Sequence, residues 1–249
     1  MTPAPASAVP ATPETTASDA AETAAQRRER AQTMYAHLRE LYPDACCELD
    51  FAGPYQLLVA TVLSAQATDV GVNKVTPVLF ARFPDPASLA AADRAEVEEI
   101  IRPTGFFRNK AASIQGIAAA LVADHAGEVP ARQDDLVRLP GVGRKTANVV
   151  LGHAFGIPGI TADTHVIRLT QRMGWTAQTT PEAIESDLNE LFDEAEWTRL
   201  SDTVIWHGRR RCHAKKPACG VCPVAAWCPS YGTGPIEPEV AAALVRGPV

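Results

Sequence analysis

Aromatic side chains make up only 6% of this chain, and no stretch approaches the run of about eighteen apolar residues that a membrane-spanning helix requires. With few aromatics and an apolar content of 46%, much of it alanine, packed helices are favoured over a β-sandwich or barrel. Nothing basic precedes Arg27, so the N-terminus has neither the charged start of a secretory signal nor the arginines of a transit peptide. Six cysteines in a chain without such a signal suggest metal or thiol chemistry before disulfides. Positive charge is also short, and the formal net charge is −6. That balance argues against a nucleic-acid partner until its distribution is considered. Residues 1–26 carry −3 and residues 229–249 carry −1, which leaves −2 on the body. Within the body Arg209, Arg210, Arg211, Lys215 and Lys216 occur with no acid among them, and local field outweighs the total.

At 249 residues the chain is long enough for one large or two small domains. Residues 1–26, rich in Pro, Ala, Thr and Ser, cannot offset their ordering entropy and read as a disordered extension. A helical period then starts, with Ala31, Met34, Tyr35, Leu38 and Leu41 on one face. Cys46 and Cys47, adjacent and without a nearby partner, read as small buried hydrophobes. Gly53-Pro54 opens a strongly apolar helix running to about residue 67, and its polar end carries Gln66. Amphipathic segments follow over 70–82, 85–92, 94–101 and 109–125. The loop before the last of these sets Phe106 and Phe107 beside Arg108 and Lys110. Such a loop either plugs an aromatic into the core or offers an apolar wedge flanked by phosphate contacts. Further helices are predicted over 181–192 and 197–207, and the tail over 230–249 shows no pattern and reads as loose.

The stretch that organises the chain is Leu139-Pro140-Gly141-Val142-Gly143-Arg144-Lys145-Thr146-Ala147-Asn148-Val149-Val150. A short acidic helix precedes it and an apolar helix begins at Arg144, so Gly141 and Gly143 sit in a turn against a helix N-terminus. Backbone N–H groups there, with the helix dipole, suit one phosphate. The spacing is too close for a Walker loop, and the third glycine of a dinucleotide fingerprint is missing. What remains is a helix-hairpin-helix grip on a nucleic-acid backbone, or an ordinary helix–helix turn. Asp163 precedes the helical stretch Val166, Ile167, Leu169 and reads as an N-cap that stays ionised, with His165 two residues on. Finally, Cys212-x6-Cys219-x2-Cys222-x5-Cys228 brings four thiolates into a short span. Zinc prefers two close pairs across a longer loop, whereas a cubane cluster takes four cysteines in a compact run, and spacing leaves both open.

Taken in order, Leu63-Ser64-Ala65-Gln66-Ala67-Thr68-Asp69, the hairpin, Ala162-Asp163-Thr164-His165, Trp206-His207-Gly208-Arg209 and the four cysteines resemble endonuclease III, a family of base-excision DNA glycosylases with abasic-site lyase activity. The resemblance runs from about residue 32 to Cys228. It implies an all-α fold of two helical domains flanking a DNA-binding cleft. One is a six-helix barrel with the helix-hairpin-helix over 54–158; the other joins 27–53 to 159–229 and carries a [4Fe–4S] cluster on Cys212, Cys219, Cys222 and Cys228. It further implies Lys145 as nucleophile, Asp163 as catalytic carboxylate, and Gln66 as the side chain that fills the gap left by a flipped base. DNA contacts are expected from Phe106, Arg108, Gly141, Gly143, Arg144, His165, Arg209 and Lys215. Phe106 stands where the family often has a leucine, and Thr104 where it has a larger aliphatic. The expected partner is duplex DNA with damaged bases or abasic sites, handled by a monomer in the cytoplasm at the bacterial nucleoid, with no membrane involved.

Two other readings compete. The related adenine glycosylases generally lack a lysine after the hairpin and carry a glutamate in the early helix, whereas residues 57–66 contain no acid. A non-catalytic DNA-binding or electron-transfer module would have no use for both Lys145 and Asp163.

Overall fold

A computed structural model describes residues 22–247, and among these the regular structure is helical, without strands. Most of the expected N-terminal extension therefore lies outside the described residues. Its last part does not behave as expected. Helix α1 (Ala24–Leu41) begins before residue 27, because Thr23 and Gln26 form a capping box that satisfies two of the free N-terminal amides.

The next helices are α2 (Pro54–Leu63), α3 (Asp69–Asn73), α4 (Thr76–Arg82), α5 (Pro86–Ala90), α6 (Arg94–Ile101), α7 (Phe107–Asp124), α8 (Gln133–Leu136) and α9 (Arg144–Phe155). Helix α2 stops at Leu63 rather than near 67, because the chain turns through Ser64 and Gln66 takes a left-handed φ of 55°. The segment 70–82 divides in two, with Pro77 in the first turn of α4. These elements enclose one hydrophobic core built on Leu57, Leu58, Leu63, Leu79, Ile114, Leu121 and Val150. Each fully buried leucine there is worth about 1.5–3 kcal/mol relative to exposure.

The chain then crosses to a second core through Ile160 and Ala162. Helices α10 (Thr164–Arg172), α11 (Pro181–Leu191) and α12 (Trp197–Arg210) pack there against α1, around Met34, Leu38, Trp175, Leu188 and Leu200. The order explains why α1, which ends at Leu41, belongs with helices that begin only at Thr164: its apolar face packs on α11 and α12. Two sequence expectations fail. Cys46 is exposed, and Cys47 is only partly buried against the first core. The tail is docked, not loose: helix α13 (Pro238–Ala242) packs on the turn Cys219–Val221 and buries Ala241 completely. Its short Pro- and Gly-broken stretches gave no periodicity to read.

Candidate active site

The hairpin joins α8 to α9. Val142 N donates to Leu139 O at 3.1 Å, and Gly141 adopts φ 76°, a conformation that costs an L-residue about 1 kcal/mol or more. Gly143 is the N-cap of α9 and offers no side-chain cap. It is exposed, and a methyl group there would meet nothing within 4 Å. The first amides of a twelve-residue helix thus open to solvent with room for an anion to approach.

Lys145 is the second residue of α9 and is exposed, with no hydrogen bond or ion pair to its Nζ among the described residues. It lines one cleft with Asp163, Glu48, Asp69, His153, Asp202 and Arg209. Asp163 Oδ1 caps α10, accepting from His165 N and Val166 N at 2.8 Å each. No hydrogen bond to its Oδ2 occurs among the described residues. One carboxylate oxygen is therefore held by the fold and the other faces whatever enters. Lys145 belongs to the first core and Asp163 to the second, so the cleft lies between them.

A buried polar network fixes that relation. Asn148, 4% exposed, donates to Ile160 O at 2.6 Å and to Glu185 Oε1 at 3.2 Å, and accepts from Gln133 Nε2 at 2.5 Å. Glu185, also buried, accepts from Arg144 Nε at 2.6 Å. Burial raises the Glu185 pKa despite Arg144. Arg144, expected to face phosphate, also pairs with Glu185 across the junction between the two cores, while half of its side chain stays exposed. Arg209 likewise pairs with Asp69 at 2.6 Å and with Glu48 beneath the cleft. Burial would raise the Glu48 pKa, but hydrogen bonds from Arg210 and Arg209 outweigh it and hold the carboxylate below its ordinary value. Glu48, Asp69 and the His153–Asp202 pair at 3.3 Å were not singled out from sequence. They lie in four separate segments, and only Asp69 fell within a motif quoted from the sequence, as the last residue of 63–69. His165 is half-buried, and burial lowers its pKa, with Asp163 opposing and Arg168 and Arg209 adding to the shift. Its Nδ1 lies 3.2 Å from Arg168 Nη2.

A second concavity holds Gln66 and Phe106 with Lys110, Ser113 and Gly141. Both Gln66 and Phe106 are exposed and left-handed, with φ 55° and 45°. Phe106 is 66% exposed, whereas Phe107 packs against the first core, so the loop divides its aromatics between solvent and interior. Lys110, 5% exposed, ties the loop down by donating from Nζ to Thr104 O at 2.7 Å. Arg108 is exposed and lies over the Phe107 ring, 5.2 Å from its centre. Lys215 is exposed on the loop after α12.

Cys212, Cys219, Cys222 and Cys228 line one cavity with His207, Arg172 and Val224. Among the described residues no three metal-binding side chains close on a single ion. Four thiols lining one cavity are a donor set that fits an iron–sulfur cluster. Burial pushes the Cys222 thiol up to about 12 and raises Cys228 too, so ionised sulfurs need the compensating charge of iron. Arg172 Nη1 donates toward Cys212 Sγ at 3.4 Å, which would fix one ligand from outside.

The family model for HhH-GPD superfamily base excision DNA repair proteins matches residues 59–194, and that for the iron–sulfur binding domain of endonuclease III matches residues 212–228. Endonuclease III of Synechocystis sp. is 55% identical over 83% of this chain and 94% of its own length. The chain belongs to the endonuclease III family. Endonuclease III of Escherichia coli K12 is 40% identical over 77% of the chain and 90% of its own length. A solved non-covalent endonuclease III–DNA complex superposes with a TM-score of 0.79 at 41% identity, covering 82% of this chain and 95% of that one. A trapped endonuclease III–DNA covalent intermediate gives the same TM-score and identity.

The all-α fold and the iron–sulfur cofactor expected from sequence are thereby established. As an endonuclease III-family protein, the chain places its cluster segment against α10 and α12, away from Lys145. The cluster, when bound, contributes structure and charge. Cys219→Ser is expected to remove the visible absorption of the purified protein and to lower its melting transition by roughly 10 °C or more. Unchanged absorption and melting would remove Cys219 from the ligand set.

Proposed function

We infer that Lys145 and Asp163 carry the chemistry of a base excision repair DNA glycosylase and abasic-site lyase, and that its substrates are oxidised pyrimidines in duplex DNA. The observation that carries this reading is the shared cleft: an amine and a carboxylate oxygen, neither with a partner among the described residues, line it together beside an open helix-hairpin-helix.

A base inside a duplex is out of reach, so the nucleotide leaves the stack and enters the cleft. The hairpin amides hold the phosphate backbone while Gln66 fills the vacated space and Phe106 wedges the opposite strand. The Lys145 amine attacks C1′ through its nitrogen lone pair, the glycosidic bond breaks, and the base departs with the proton that the amine gives up. Asp163 stabilises the positive charge that develops on the sugar. Ring opening gives a Schiff base between Nζ and C1′. Removal of a C2′ proton then sends its electron pair toward C3′ and expels the 3′ phosphate oxygen by β-elimination. Water finally releases the lysine. One chain supplies every group named, so the enzyme works as a monomer.

Borohydride trapping on a duplex with one thymine glycol tests the reading, since reduction of the Schiff base makes the adduct permanent. A covalent adduct is the expected result; base release without adduct on either this or an abasic duplex would point to a water-using glycosylase instead. The wedge has its own test. Phe106→Ala is expected to weaken binding to a duplex with a stable abasic analogue by about 1–3 kcal/mol, the usual worth of an aromatic stacked on a base. Its melting transition stays put, because the ring buries little in the free protein. Undiminished binding would reassign the residue to the surface.

A further inference from the structure

The C-terminal segment lies outside the stretches matched by the family models, which end at Cys228, yet it is fastened at several points. Gly220 N donates to Pro235 O at 2.9 Å, Arg246 N donates to Arg210 O at 2.9 Å, and His213 Nε2 lies 2.7 Å from Leu244 O. The approach is close enough to require glycine twice. A methyl group on Gly220 would sit 2.2 Å from Ile236 O, and one on Gly234 would sit 2.0 Å from Pro217 O. Chain that merely trailed from the last cysteine would need none of this.

Once docked, the segment forms one wall of an open groove. Ala243, Leu244 and Arg246 line one side, with Lys215 and Lys216 on the loop opposite and Arg168 beneath. Among the described residues no carboxylate side chain lines it. Lys215, Lys216 and Arg246 are exposed and make no ion pair among the described residues, unlike Arg144 and Arg209. The groove abuts His165 and Arg209, which places it beside the Lys145 cleft.

We propose that residues 235–246 are a strap that completes a cationic groove for the phosphate backbone of duplex DNA, with Arg246 supplying a phosphate contact from beyond the cluster segment. The proposal rests on the reading of this chain as a duplex DNA repair enzyme. Two of the arginines expected from sequence to meet phosphate are engaged in ion pairs within the chain, and the groove adds cationic groups that have no such pair among the described residues. Each phosphate neutralised releases counterions and makes affinity fall with salt, so the contact has a countable signature.

The test is fluorescence anisotropy on a labelled undamaged duplex over a salt series, with the full-length chain as wild type, Arg246→Ala and Arg246→Lys. Loss of one phosphate contact should lessen the slope of log affinity against log salt by about 0.9 in Arg246→Ala. Arg246→Lys should keep the wild-type slope, which a purely structural role for the arginine would not predict. Equal slopes for wild type and Arg246→Ala, with wild type binding normally, would overturn the strap while leaving the enzyme reading intact. Wild type without salt-dependent affinity for duplex DNA would overturn both.

Discussion

Lys145→Gln is expected to abolish the borohydride adduct and to slow strand cleavage at an abasic site by roughly 10⁴-fold or more, while the protein still binds the same duplex. The size follows from the role: a covalent mechanism that loses its only nucleophile retains the binding and electrostatic parts of catalysis and nothing that forms the intermediate. Retained binding follows from the structure. In the proposed reading the grip on the backbone comes from amides of the hairpin and the start of α9, which do not depend on the Lys145 side chain. Glutamine matches lysine in helix propensity, and Nζ has no partner to lose among the described residues, so stability should change by no more than about 0.5 kcal/mol. Gel-resolved cleavage, trapping and anisotropy on one preparation separate these claims. A mutant that still cuts abasic DNA at the wild-type rate would exclude Lys145 as nucleophile; one that loses binding in parallel would show that the lysine serves the grip.

This expectation was open to the sequence because the hairpin is local. Pro140, Gly141 and Gly143 dictate a turn, the apolar run dictates the helix, and Lys145 follows at a fixed offset from both. Asp163 as an N-cap was legible for the same reason, and the structure places its oxygen on the amides two and three residues ahead. What sequence could not reach were pairings across the chain. The Arg144–Glu185 contact spans 41 residues and the Arg209–Asp69 contact spans 140. Each ties a residue expected to meet phosphate to a carboxylate elsewhere in the chain, and nothing in the local pattern marks the partner. The docked tail was missed for a different reason: its anchoring is by backbone hydrogen bonds and glycine clearance, neither of which leaves a hydrophobic period. Cys46 was misjudged because cysteine is usually buried, and here the chain between α1 and α2 runs along the rim of the cleft.

Asp163→Asn separates two duties that one carboxylate performs. Asparagine is as good an N-cap as aspartate, and its side-chain oxygen accepts from the same two amides, so α10 should hold and the melting transition should move little, within about 0.5 kcal/mol. The charge, however, is gone. In the wild type the second oxygen is free to face the sugar as positive charge builds at C1′, and the low-dielectric cleft makes that attraction stronger than it would be in water. Removing one such preorganised group typically costs about 10²–10³ in rate. Single-turnover base release on thymine glycol duplex should fall by that factor, with binding of an abasic analogue unchanged. Asp163→Ala should lose the same rate and in addition destabilise the fold by about 1 kcal/mol, since the cap is lost with the charge. If Asp163→Asn released base at the wild-type rate, the carboxylate would be a cap alone, and the stabilising charge would have to come from Glu48, Asp69 or Asp202 on the same cleft.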